Sequence, residues 1–224
     1  MIASLTVGAL YFFGLGIRAY LHRKKLIRKT IEIPPQQLHH TFGYTTKLFM
    51  QFDQYSIRLL TIADVAAYFQ LVEKNRKRLE NFFTGTTSRT KTLQDTEAFI
   101  LEITQRAKDK TYFPYIIVDN TNNKIAGFLD LKNLDWSIPK SELGCYVDEE
   151  YAGKGITSKA VALFCDFCFE EYGFQKLFLR THYSNTSARR IAEKCGFEIE
   201  GTIRRDYKTT SGEIVDLIYY GKVK

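Results

Sequence analysis

The chain is poor in the residues that hold metals or disulfide frameworks, with four cysteines and four histidines in 224 residues. Cys165 and Cys168 form a lone C-x-x-C inside an apolar run with helical period (Val161, Leu163, Phe164, Phe167), and no second pair follows at zinc-ribbon spacing. They are therefore expected to be buried structural thiols, and no metal site is expected. H-E-x-x-H, Walker-type phosphate loops and dinucleotide glycine fingerprints are all missing, which removes the chemistries those motifs carry. Repeats and low-complexity tracts are missing too. Hydrophobic residues at 45% and aromatics at 14% exclude a wholly disordered chain. The Asn185-Thr186-Ser187 sequon has no other sign of secretion beside it.

Charge of one sign is scarce in most of the molecule. The formal +7 divides unevenly: residues 1–48 hold seven basic side chains against Glu32 alone, a net of +6, leaving +1 for the other 176 residues. Nucleic acid is not an expected partner, because the body shows no net basic excess. Residues 1–17 carry no charge and twelve of them are apolar, and a basic cluster follows from Arg18 to Lys29. A helical span needs roughly 17 to 25 apolar residues, so this stretch sits at the short limit. Insertion would place the body on the cytoplasmic side. A cleaved signal peptide fits less well, since the basic residues follow the apolar stretch. The segment reads equally as a packed apolar helix, or as an extension upstream of a start at Met50. Ile33 to Gln37, with Pro34 and Pro35, reads as an extended linker. The expected organisation is an appendage and linker over 1–48, with membrane contact through residues 1–29 as one reading, and one domain over 49–224. The expected location is cytoplasmic, free or tethered; the sequence leaves the oligomeric state open.

In the body, Ser56 to Leu60 reads as a strand, and Ile62 to Phe83 shows helical spacing with Asp64 as a cap near its start. Thr92 to Asp95 resembles a capping box opening a helix to about Lys108. Tyr115 to Asp119 and Ile125 to Leu131 form a hairpin about Asn120–Asn123, Asp135 to Lys140 a further turn, and Leu143 to Val147 another strand. Ile156 to Tyr172 returns to helical period. Lys176 to Thr181 reads as a strand, Ser187 to Lys194 as a helix, and Thr202 to Lys208 and Ile214 to Tyr220 as closing strands. The order predicts an α/β sandwich about a mixed sheet.

The most informative segment is strand, then Glu150-Tyr151-Ala152-Gly153-Lys154-Gly155-Ile156-Thr157, then helix. Glycines let the backbone curve and approach a ligand, and the following helix start presents unpaired N–H groups. That turn suits a pyrophosphate, though it also reads as a plain strand–helix turn. Gly144 in the preceding strand marks close approach of another backbone or a ligand. Asn185-Thr186-Ser187 and Lys194-Cys195-Gly196-Phe197 then bracket a short helix.

With Glu142 to Val147 and the ending Glu200-Gly201…Gly212…Val215-Asp216, these pieces resemble the GNAT superfamily of acyl-CoA-dependent N-acetyltransferases. The likeness is greatest to the branch that acetylates ribosomal-protein N-termini (RimJ/RimL type), and it covers about Ser56 to Val223. The resemblance implies a GNAT-like fold: a mixed, mostly antiparallel central sheet, helices on both faces, and two strands (Leu143–Val147 and Lys176–Thr181) splayed at their ends. It implies acetyl-CoA as co-substrate, with pyrophosphate on the backbone of Gly153, Lys154, Gly155, Ile156, Thr157 and Ser158. Asn185 would bond the pantetheine arm, and a strand N–H near Tyr146 or Val147 would meet the oxyanion.

The sequence departs from the family at two places. Glu150 stands where a basic or amide residue is common, and Ala188 stands at the usual serine, with Ser187 one position earlier. The chemistry needs a base for the ammonium proton and an acid for the thiolate. Glu142 and then Asp206 are the candidate bases, and Tyr207 and Ser187 the candidate proton donors. The expected acceptor is a primary amine, foremost a protein N-terminus. A small amine (a polyamine or an amino sugar) and a catalytically silent CoA-binding scaffold are the alternatives.

Overall fold

The computed structural model describes residues 49–224. The expected membrane contact of residues 1–29 and the proline linker lie outside the described residues. Within them, no helix is long and apolar enough to cross a membrane.

Eight strands form one sheet: β1 (Phe49–Phe52), β2 (Tyr55–Leu59), β3 (Phe113–Asp119), β4 (Lys124–Asp135), β5 (Lys140–Val147), β6 (Lys176–Thr181), β7 (Glu198–Lys208) and β8 (Ile214–Val223). Their order is β1-β2-β3-β4-β5-β6-β8-β7, and every pairing is antiparallel except β5 with β6. The helices are α1 (Val65–Leu79), α2 (Thr84–Arg89), α3 (Leu93–Lys108), α4 (Ile156–Glu171) and α5 (Thr186–Lys194).

Two apolar clusters separate by strand parity. Tyr115 and Ile117 of β3 pack with α4 residues such as Phe164 and Cys168 on one face, while Ile116 and Val118 pack with Tyr68 of α1 and Ile100 of α3 on the other. β3 is buried along its whole length, so it reads as a nearly continuous apolar run. Phe164 is fully buried. Truncating such a ring to Ala costs about 3–5 kcal/mol.

Local chemistry sets the helix boundaries. At α3, the Thr92 side chain accepts from the Asp95 N–H and Asp95 accepts from the Thr92 N–H, both at 3.1 Å, as the spacing predicts. Asp64 acts differently from a simple cap. Its carboxylate accepts from the N–H and hydroxyl of Thr61 and from both terminal nitrogens of Arg58, closing a 3-10 turn (Ile62–Asp64) ahead of α1. Two elements go beyond the sequence expectation. β1 is only four residues long. α2 is built from TGTTSR, poor helix formers, and its turns are closed by Thr hydroxyls bonding back to carbonyls and by Arg76 donating to Thr87 O and Thr90 O.

One irregularity of the sheet prepares the site. The parallel pairing of β5 with β6 holds only for Lys140–Lys176, Ser141–Leu177 and Glu142–Phe178. Beyond Glu142, β5 continues to Val147 and β6 to Thr181 without pairing, so the sheet opens between them.

Candidate active site

A cavity of about 300 Å³ fills that opening and reaches both faces of the sheet. On the α4 and α5 side its lining includes Val161, Asn185, Ala188 and Ile191; on the other it includes Phe83, Lys132, Glu142, Arg180 and Tyr207.

The exposed edge of β5 supplies backbone groups. The Asp148 N–H bonds Ala126 O at 2.8 Å, and β4 and β5 stay in regular antiparallel register from Val147 back to Glu142. Amides alternate in direction along a strand, so those of Val147 and Cys145 turn toward the opening, and that of Tyr146 turns toward β4. The Tyr146 side chain is likewise occupied, buried beneath α1 with its hydroxyl donating to Tyr68 Oη at 3.0 Å; burial pushes this phenol well above its usual range. Of the two candidate oxyanion donors, Val147 is therefore the one whose N–H faces the unpaired side of β5, although neither residue lines the cavity, whose β5 wall runs from Glu142 to Cys145. Its carbonyl accepts from the guanidinium of Arg78 on α1.

Beyond β5, Gly153 and Gly155 have φ of 75° and 77°, left-handed values that a side chain would strain. A Cβ at either would meet nothing within 4 Å, so the space over the turn is open. No side chain caps α4, which leaves its first amides directed outward, while the buried Ile156 anchors that end in the core. Thr157 and Ser158 are half-buried in the first turn, and Lys154 is exposed, its ammonium 5.8 Å from the Tyr151 ring centre. Turn and helix end thus fit a pyrophosphate. Glu150 does not stand alone beside them: Lys74 of α1 pairs with it at 2.8 Å and with Asp148 at 3.0 Å. A lysine from a distant helix thus offsets part of the acidic charge beside the turn, and the exposed Lys154 is the turn's own positive charge.

Asn185 caps α5, its Oδ1 accepting from the Ala188 N–H at 3.2 Å. Ala188 and Ile191 turn toward the cavity, whereas Ser187 is exposed and does not line it.

The opposite side is a ladder of alternating charge. Tyr112 donates to Asp130 Oδ2 at 2.6 Å. Lys132 lies 3.8 Å from Asp130 Oδ1 and 3.7 Å from Glu142 Oε1. Arg180 bonds Glu142 Oε2 and Asp206 Oδ2, each at 2.9 Å. Burial works to lower the Arg180 pKa, but the bonds and charges of Glu142 and Asp206 outweigh it and leave the group above its ordinary value. Glu142 is 5% exposed; its Oε2 also accepts from Asn133 at 2.6 Å, while Oε1 takes no hydrogen bond among the described residues. Gly144 makes room for this ladder: a Cβ there would lie 2.2 Å from Asp130 Oδ1, so what approaches the glycine is a carboxylate.

Asp206 and Tyr207 owe their aim to a bulge. β7 pairs Ile203 with Leu217 and next Tyr207 with Val215, leaving extra residues on β7, with Arg205 at φ 57° and its N–H on Asp216 at 2.8 Å. Asp206 then reaches Arg180 from outside the cavity, and Tyr207 enters it, with its hydroxyl held by the Thr84 N–H at 3.0 Å and the Thr84 hydroxyl at 2.9 Å. The four cysteines are free thiols; Cys145 lines the cavity, and burial pushes its thiol up to about 12.

The sequence reading missed Lys132, Asn133, Arg180, Lys74 and Arg78. Parity was the usable signal for two of them. Lys132 and Arg180 are charged residues on the face that Phe128, Tyr146 and Phe178 give to aromatics, the face shared by Glu142.

Comparison with known proteins agrees with this architecture. YdaF of Bacillus subtilis, whose name assigns it provisionally to the ribosomal N-acetyltransferases, is 28% identical over 171 residues, covering 75% of this chain and 91% of its own. The ribosomal-protein-S5-alanine acetyltransferase of Vibrio fischeri superposes with a TM-score of 0.73 at 22% identity, covering 78% of this chain and 96% of that one. RimL, a ribosomal alpha-N-protein acetyltransferase solved in complex with coenzyme A, gives 0.71 at 18% identity, covering 76% and 94%. A model of the acetyltransferase (GNAT) domain matches residues 55–198. The chain belongs to the GNAT family and is an acyl-CoA-dependent N-acetyltransferase.

Proposed function

We propose that the chain moves an acetyl group from acetyl-CoA to the α-amine of a protein N-terminus. The observation that carries the catalytic part is Glu142: a carboxylate in the gap between two parted strands, fixed through one oxygen, with the other open to the cavity. The relatives named for ribosomal proteins support the acceptor class. On the acceptor side Lys132 and Arg180 line the cavity with Glu142, and Asp130 and Asp206 stand behind them, so this charge does not by itself choose between acceptor classes.

In this reading acetyl-CoA supplies the thioester; the chain holds it and moves protons. The Gly153–Ser158 turn holds the pyrophosphate on its amides, and the exposed Lys154 adds charge beside it. The β5 edge and Asn185 hold the pantetheine arm. Glu142 takes the ammonium proton, so that the amine nitrogen can bond the acetyl carbon. The Val147 N–H meets the charge growing on the carbonyl oxygen. As the carbon–sulfur bond breaks, Tyr207 gives the sulfur a proton, and the second proton that the new amide nitrogen sheds restores the tyrosine through solvent; Ser187, exposed and outside the cavity lining, is not used in this reading. Asp206 acts through Arg180.

Calorimetry with acetyl-CoA, followed by thiol release on a panel of peptides, polyamines and amino sugars, tests the proposal. Binding with release on peptides is expected. Binding without release on any amine would make the chain a silent scaffold, and release on polyamines alone would move it to the small-amine class.

A further inference from the structure

Lys132 is unlike the other charged groups of the cavity. It stands opposite Glu142 in the β4–β5 register, between two carboxylates, yet both lie beyond hydrogen-bonding distance at 3.7 and 3.8 Å. Its ammonium donates no hydrogen bond among the described residues, whereas Arg180 spends both terminal nitrogens on Glu142 and Asp206. Burial works to lower its pKa, but the charges of Asp130 and Glu142 outweigh that and hold it above the ordinary lysine value, so the cation persists at neutral pH. Three N–H donors on a retained charge thus face the space where the acceptor amine must stand beside Glu142.

Such a group sorts acceptors in two ways. It offers a charge-assisted hydrogen bond to an oxygen a few bonds from the amine, which a peptide supplies as its first carbonyl or as an acidic side chain near its end. It also occupies the place between Asp130 and Glu142 where a second positive charge on the acceptor would settle, and Arg180 holds the other oxygen of Glu142 in the same way.

We infer that Lys132 is the specificity-determining residue of the acceptor site, reading a carbonyl or carboxylate oxygen next to the reactive amine and excluding acceptors that carry a further cation there. This rests on the proposed N-terminal acceptor and adds to it a preference for acidic over basic N-terminal sequences.

The test uses the full chain and peptides that share one N-terminal residue but carry Glu, Ala or Lys at the second position, with spermidine as the dicationic control. Wild type is expected to favour the Glu over the Lys peptide in kcat/KM by about tenfold or more, the scale of one charged hydrogen bond. In Lys132→Met that ratio should collapse toward one, mainly through KM. In Lys132→Glu it should invert, and Lys132→Arg should restore it. Unchanged acetyl-CoA binding by calorimetry checks that each variant is folded. If Lys132 only supported Glu142, all peptides would slow together and their ratio would survive, which overturns the inference while leaving N-terminal acetylation intact. Turnover of spermidine above every peptide would instead overturn the N-terminal reading itself, and this inference with it.

Discussion

The two sides of the cavity recognise by different means. Toward α4 and α5 the site is mostly backbone: the unpaired edge of β5, two left-handed glycines and an uncapped helix start. Toward α1 it is side chains, the ladder from Asp130 through Lys132, Glu142 and Arg180 to Asp206. Backbone groups suit a co-substrate that never varies, because their geometry is fixed by the fold. A ladder of side chains suits chemistry and selection, because single substitutions retune it.

That division predicts effects of unequal size and different kinetic character. Glu142→Gln strikes the chemistry and should lower kcat by roughly 10²- to 10⁴-fold, with acetyl-CoA affinity kept. Asp206→Asn, acting only through Arg180, should cost far less; equal losses in the two variants would erase the distinction drawn between them. Gly155→Val strikes the other side. A β-branched residue in left-handed backbone costs about 1–2 kcal/mol, so the variant should melt earlier and bind acetyl-CoA more weakly in calorimetry while its peptide KM holds. A peptide KM that rose in parallel would join the two sides into one.

The smallest effect lies away from both sides. Burial works to raise the Asp64 carboxyl, but Arg58 and Thr61 outweigh it and hold the group below the usual carboxylate range. A depressed folded-state value contributes stability above the unfolded pKa of about 3.9, and that contribution is lost as pH falls through the folded value. The gap in melting temperature between wild type and Asp64→Asn should therefore be widest near neutrality and narrow below about pH 4.

The same division decides what could be read from the sequence. The strand, glycine turn and helix from Leu143 to Glu171 are contiguous, and their chemistry follows from local rules; so do the α3 capping box and the hairpin about Asn120–Asn123. The ladder gathers residues from β4, β5, β6 and β7, and only the sheet order brings them together. Glu142 and Asp206 appear in the sequence as two rival bases; in the structure one arginine ties them, one inside the cavity and one behind it. Gly144 announces a close approach correctly and names its cause wrongly, since a carboxylate occupies the place given to a backbone or a ligand. α2 escapes because its helix depends on hydroxyls and on Arg76 reaching over from α1.

Three residue pairs between β5 and β6 are all the direct strand pairing that joins β1 through β5 to the block of β6, β8 and β7. The protein is in this sense built with an unfinished seam. A reactant lying along the β5 edge, as proposed, would bond where a neighbouring strand would otherwise stand and would act as a temporary ninth strand. Loading would then do more than present the acetyl group: it would lock two half-sheets into one, and each turnover would briefly loosen the molecule as the spent carrier leaves. Amide exchange along β6 and β8 should record this cycle, slow when the seam is filled and faster when it is open.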